Sequence, residues 1–158
     1  MNLDTFVFTN AGGREYNEDA AGYRSFPDGG LFVLADGLGG HRFGELAAQS
    51  ALSALLEAKP PTPEEDGSEW LEARIESANE AVMALQREKS AVMKTTVAAL
   101  LIRGQEAHWA NVGDTRVYHI HDDEMTSVTE DHSVAYRLRS GDQFYLGERV
   151  NLVQLSVE

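Results

Sequence analysis

The sequence predicts an α+β domain with mainly antiparallel sheets, and three observations support this. Short strand-like runs precede two helical stretches and more strand-like runs follow them, which is not the regular strand–helix alternation of a parallel sheet. A turn-rich Pro27-Asp28-Gly29-Gly30 joins two apolar runs as a hairpin, and the segment after Thr95 reads as a meander.

The opening segment alternates, with Phe6 and Phe8 on one face, and is expected to be a strand that breaks at Gly12-Gly13 before Arg14-Glu15-Tyr16-Asn17-Glu18-Asp19. Ala20–Phe26 reads as a second strand. The hairpin then leads into Leu31-Phe32-Val33-Leu34-Ala35, a buried strand expected to stop at Asp36-Gly37. Antiparallel pairing of strands this short sets Asp19 and Asp36 at comparable heights.

From Phe43 to Lys59 the pattern is helical. Ala47, Ala51, Ala54, Leu55 and Ala58 form one stripe, and Pro60-Pro61 force the end. After an acidic connector, Asp66 or Ser68 can cap a second helix with Glu69 and Glu72 in its first turn and Arg87 and Lys89 at its end. Leu71, Ile75, Ala78, Val82 and Leu85 step along its apolar face, and the two helices are expected to lie antiparallel on one layer. Thr95–Ile102 reads as a central strand covered on both sides. Ala107–Val112, Arg116–His121 and Met125–Val128 follow, with bends at Gly113-Asp114 and Asp122-Asp123-Glu124. Residues 150–157 form a last strand-like run.

The chain has 158 residues, the size of one domain. Thirteen basic against 26 acidic residues give a net charge of −13, which disfavours nucleic acid and anionic membranes and favours a cationic partner such as a metal. With no cysteine, disulfides and thiolate zinc sites are excluded. Apolar runs such as Val97–Ile102 fall far short of the roughly 20 residues of a membrane helix, and no basic apolar leader opens the sequence. A soluble cytoplasmic protein is expected.

Arg14, Glu18, Asp19, Asp36, Gly37 and Asp114 all fall at strand ends or bends, where a scaffold tends to carry its binding groups. Carboxylates converging on a core edge repel one another unless a cation neutralises them. Asp36 with glycines after it offers a carboxylate and bare carbonyls, donors that suit a hard cation.

Arg14-x-x-Asn17-Glu18-Asp19, Ala35-Asp36-Gly37-Leu38-Gly39-Gly40-His41 with Gly44-Glu45, Thr95-Thr96, Asn111-Val112-Gly113-Asp114-Thr115-Arg116 and Thr129-x-Asp131-His132-Ser133 stand in an order that resembles the metal-dependent type 2C Ser/Thr protein phosphatases, in their bacterial form. The resemblance runs from Gly12 to about Gly141. It implies two packed antiparallel sheets flanked by helices, and a site for two Mn²⁺ or Mg²⁺ ions. In that site Asp36 bridges the ions, Glu18 and the Gly37 carbonyl bind one of them, and Asp19 orients coordinated water. Asp114 matches an acid linked to a third, weaker ion, and Arg14 would hold the phosphate. A bridging ion pair generates hydroxide near neutral pH for attack on a phosphomonoester, and the implied partner is a phosphoserine or phosphothreonine protein.

Three departures accompany the resemblance. Leu38 stands where many eukaryotic members have a proton-donating His, leaving a neutral loop role for His41, and Lys94 replaces the glycine before the paired threonines. Beyond Asp131-His132-Ser133 nothing matches the family's Ser-Asp-Gly element or its later metal-binding Asp. The run Phe144-Tyr145-Leu146-Gly147 and the last strand-like run follow instead. A C-terminally incomplete family domain is therefore expected, with weakened metal binding.

Rival readings explain less. A dinucleotide loop at Gly37-x-Gly39 fails because Arg42 holds the third glycine position and Asp36 would face the pyrophosphate. An aspartyl-nucleophile phosphatase needs a second Asp where Leu38 stands. His119 and His121 have the spacing of a metal pair, but an exposed hairpin accounts for them. The functional alternative is a catalytically silent phosphatase-like module that binds a phosphoprotein or a regulatory partner.

Overall fold

The computed structural model describes residues 3–39, 42–132 and 151–156. Its elements in chain order are β1 (Asp19–Phe26), β2 (Gly29–Leu38), α1 (Phe43–Leu56), α2 (Gly67–Lys89), β3 (Lys94–Thr95), β4 (Val97–Arg103), β5 (Glu106–Val112), β6 (Tyr118–His121), β7 (Glu124–Val128) and β8 (Asn151–Ser156). One sheet runs β1-β2-β4-β5-β8, with β3 paired to the end of β2, and β6-β7 form a second. Every pairing is antiparallel, as the sequence predicts. The expected strand–helix–strand order is also observed, and no helix among the described residues is long and apolar enough to cross a membrane.

The β1–β2 hairpin is tighter than expected. Phe26 pairs with Gly29, so the loop is Pro27-Asp28 alone and both glycines belong to the strand. Nor does β2 stop at Asp36. Gly37 and Leu38 continue it because Thr95 and Lys94 of β3 give them ladder partners. The opening segment departs further from expectation: residues 3–10 form no strand, and Phe6 and Phe8 are 88% and 72% exposed. Alternation alone does not make a strand, and among the described residues no neighbour takes the backbone hydrogen bonds of this segment.

Both helices cover one face of the large sheet. Ala47, Ala51 and Leu55 from α1, and Leu71, Ile75, Ala78 and Val82 from α2, pack on Leu31 and Val33 of β2, on Val97, Ala99 and Leu101 of β4, and on Ala110 of β5. The alternate positions of β4 face this core, which is the period-2 pattern of a central strand. Leu55, Leu71 and Leu101 are fully buried, and truncating any of them to alanine costs about 2–5 kcal/mol. On the other face the Trp109 ring lies 6.4 Å from that of His119, joining β5 to the small sheet. The β6–β7 turn is Asp122-Asp123, both left-handed at φ 50° and 63°, while Glu124 already belongs to β7.

Helix α1 ends at Leu56 rather than Lys59. Arg24 of β1 donates to the Leu56 and Ala58 carbonyls at 3.0 and 2.9 Å, so the carbonyls orphaned at the helix end find a cation instead of a further turn. Of the two residues suited to cap α2, Asp66 does so, its Oδ1 accepting from the Ser68 and Glu69 amides at 2.9 and 3.0 Å. Those bonds hold the Asp66 carboxyl below its ordinary value of 3.8, the Glu69 amide contributing most. A depressed carboxyl stabilises the fold above its unfolded value and stops doing so as the pH falls through the lower folded value. Asp66→Ala should therefore lower the melting temperature by about 3 °C at pH 7, with a deficit that narrows below pH 3.8. Asp66→Asn, which keeps a capping oxygen, should show a smaller loss in the same thermal melts.

Candidate functional site

The site is built on the hairpin register. Asp19, the first residue of β1, pairs directly with Asp36 near the end of β2, as the strand lengths predict. Asp36 is fixed through its backbone by the paired threonines. Its amide donates to Thr96 Oγ1 at 3.1 Å, its carbonyl accepts from the Thr96 amide at 2.9 Å, and the Thr95 hydroxyl lies 3.1 Å from the same carbonyl. Every backbone donor and acceptor at this position is thus used on one side, and the side chain is left exposed at the sheet edge.

The Thr96 hydroxyl hydrogen-bonds that of Thr115, which ties β2 to the turn carrying Asp114. That turn is made by Gly113 at φ 97°, a left-handed conformation that a side chain would strain. It is held from the far side by 129–132. The His132 amide donates to the Gly113 carbonyl at 2.9 Å, and the Gly113 amide donates to His132 Nδ1 at 3.3 Å, which leaves the ring proton on Nε2. Asn111 Nδ2 reaches the Glu130 carbonyl at 3.1 Å. Arg116 forms a two-pronged bridge to Asp131, both contacts 2.6 Å, which raises the guanidinium above its ordinary value.

Asp19, Asp36 and Asp114 line one cavity of about 560 Å³, walled by Phe8, Thr9, Asn10, Leu34, Thr115, Arg116 and Tyr118. Their proximity shows in Asp36, whose carboxyl is raised above 3.8 by burial first and then by the charges of Asp19 and Asp114, against the lowering influence of Arg14. Of the six residues singled out in the sequence, these three acids thus share one cavity.

Glu18 and Gly37 sit beside the cavity rather than on it. The Gly37 amide donates to the Glu18 carbonyl at 3.2 Å, and a Cβ on Gly37 would meet the Gly44 carbonyl oxygen at 2.2 Å. A Cβ on Gly44 would in turn meet the Glu18 carboxylate at 2.9 Å, so only a glycine pair lets α1 approach β2 and the Glu18 side chain so closely. Arg14 is exposed in the loop before β1, its amide bonded to the Ala11 carbonyl at 3.1 Å. Gly40, His41, Ser133 and residues 134–150, with Phe144-Tyr145-Leu146-Gly147, lie outside the described residues.

Among the described residues, no three acidic or histidine side chains stand close enough together to hold a metal ion. The donor chemistry nevertheless suits a hard divalent cation: three carboxylates line one cavity, and one is pushed up by burial and by the charges of the other two. His119 and His121 do not belong to it. His119 Nδ1 meets Thr126 Oγ1 at 2.6 Å, and His121 Nε2 faces Asp122 at 3.4 Å on the exposed hairpin.

The supporting residues carry no chemistry that a reading of acids and bases would single out. Asn17 links Thr9 at 2.7 Å to the Asp19 amide at 3.1 Å, Thr96 and Thr115 join two elements, and Asp131 anchors Arg116. Their only sequence signal is membership of the ordered motifs, without a role attached.

Removing the Asp36 charge should relieve repulsion in the metal-free protein. Asp36→Asn should raise the melting temperature in EDTA by about 2–4 °C. A lower melting temperature in EDTA would show that the raised carboxyl is not a source of strain.

Residues 11–139 match the family model described as Protein phosphatase 2C. The serine/threonine phosphatase stp of Listeria innocua is 32% identical over 137 residues, covering 82% of this chain and 54% of that protein. The chain thus spans about half the length of this curated relative. Among solved structures, the serine/threonine phosphatase Stp1 of Staphylococcus aureus superposes with a TM-score of 0.78 at 26% identity, over 99% of this chain and 74% of that one. The catalytic domain of the phosphatase PstP, in complex with two manganese ions, gives 0.74 at 28% identity, over 92% and 68%.

Proposed function

The chain belongs to the protein phosphatase 2C family, and on that premise we propose that it is a Mn²⁺- or Mg²⁺-dependent phosphoserine/phosphothreonine protein phosphatase. The observation that supports this most is the Asp19–Asp36 pair, set by strand register and joined by Asp114 around one cavity. The two manganese ions of the related PstP catalytic domain support the same ligand chemistry here.

In this reading Asp36, Glu18 and the Gly37 carbonyl would hold Mn²⁺ or Mg²⁺, Asp19 would orient water at the ions, and Asp114 would add a further carboxylate. When bound, the ions supply acidified water and neutralise charge on the phosphoryl oxygens. Arg14 presents a planar, permanently charged fork matched to those oxygens, which a lysine would not reproduce. Hydrolysis joins a water oxygen to phosphorus and breaks the bond to the serine or threonine oxygen, which then takes up a proton. Leu38, 69% exposed at the end of β2, has no proton to give, so that proton comes from water.

A second reading, a silent module that binds a phosphoprotein or a regulatory partner, is favoured by one observation: among the described residues no three ligating side chains stand together. Turnover separates the two. Phosphate release from a phosphopeptide should depend on Mn²⁺ and fall at least about 100-fold in Asp36→Asn, since even changes behind metal ligands cost 10–100-fold. Equal rates in the two proteins, or none in either, would contradict the enzymatic reading.

A further inference from the structure

The turn that carries Arg14 is held unevenly. Its far end is fixed: Asn17 is tied to Thr9 and to the Asp19 amide, the Glu18 carbonyl accepts from Gly37, and the Glu18 carboxylate lies against Gly44. Its near end is closed by the Gly12 amide on Asn10 Oδ1 at 2.7 Å and the Arg14 amide on the Ala11 carbonyl. Between these ties lie Arg14, Glu15 and Tyr16, all exposed.

Across this gap reaches Arg42, the residue that precedes α1. Its guanidinium carbon stands 4.2 Å from the centre of the Tyr16 ring, the geometry of a cation–π contact. Arg42 makes this contact from a left-handed backbone at φ 69°, a conformation that costs a non-glycine residue energy and that aims its side chain from the helix start. The Tyr16 hydroxyl donates to Glu15 at 2.7 Å, which fixes the far edge of the ring.

We propose that Arg42 is a positioning residue for Arg14, clamping the Arg14–Tyr16 turn to the start of α1 through the Tyr16 ring. The same helix start then locates Glu18 through Gly44 and Arg14 through Arg42, so both groups move with one rigid element. This inference rests on the reading of Arg14 as the phosphate-binding group. Arg42 acts through Tyr16, with its own charge engaged by the ring.

The test compares wild type, Arg42→Ala, Arg42→Lys and Tyr16→Leu in steady-state kinetics on a phosphopeptide with Mn²⁺, each also in an Arg14→Ala background. Amide hydrogen exchange over residues 12–17 of the metal-free proteins gives a second readout. Arg42→Ala and Tyr16→Leu should each raise KM about 2- to 5-fold, with kcat nearly unchanged, and quicken exchange by a similar factor. Arg42→Lys, which keeps a cation, should restore part of both. In the Arg14→Ala background the KM effect should vanish. An equal KM loss there would overturn the proposal, because Arg42 would then touch the substrate itself. Unchanged exchange over residues 12–17 would overturn it as well. If the wild type shows no turnover, the phosphatase reading fails by itself and the exchange comparison still decides whether Arg42 holds the turn.

Discussion

The antiparallel register of β1 and β2 is the constraint on which this site depends. A two-residue loop at Pro27-Asp28 fixes which residues face each other along the hairpin, and Asp19 opposite Asp36 follows from that alignment. Side chains alternate between faces with a period of two, so a slip of one residue would turn Asp36 toward the core and Ala35 toward the cavity. Ala35 is fully buried and Asp36 exposed, which makes such a slip costly in both directions. The core therefore protects the site: what keeps Leu31, Val33 and Ala35 inward keeps the carboxylate outward.

Around that pair the chain spends hydroxyls and backbone groups rather than charge. Thr95 and Thr96 hold the backbone of Asp36, Thr115 passes the connection to the Asp114 turn, and residues 129–132 brace the turn from behind. Asp36 carries a raised carboxyl, through burial first and then the charges of Asp19 and Asp114, which Arg14 only partly offsets. Repulsion of this kind among neighbouring carboxylates is what a divalent ion relieves when it binds them.

Much of this was legible in the sequence because local rules decide it. The four- and three-residue steps from Leu71 to Leu85, the cap at Asp66 and the Asp19–Asp36 alignment all follow from periodicity, capping and turn chemistry. What was not legible depends on partners distant in sequence. Gly37 and Leu38 extend β2 only because Lys94 and Thr95 arrive to pair with them, α1 stops early because Arg24 takes its carbonyls, and Phe6 and Phe8 find no partner strand among the described residues. Asn17, Thr96 and Asp131 are structural links whose importance lies in what they connect, which composition does not reveal.

The central claim is that the facing pair Asp19 and Asp36 forms the heart of a divalent-cation site. Electron paramagnetic resonance of free Mn²⁺ during titration into wild type, Asp19→Asn, Asp36→Asn and the exposed-hairpin control Glu124→Gln tests it most directly. Wild type and the Glu124 variant should deplete the free-ion signal alike, whereas Asp36→Asn should lose most of that binding and Asp19→Asn part of it. Undiminished Mn²⁺ uptake by Asp36→Asn would contradict the account.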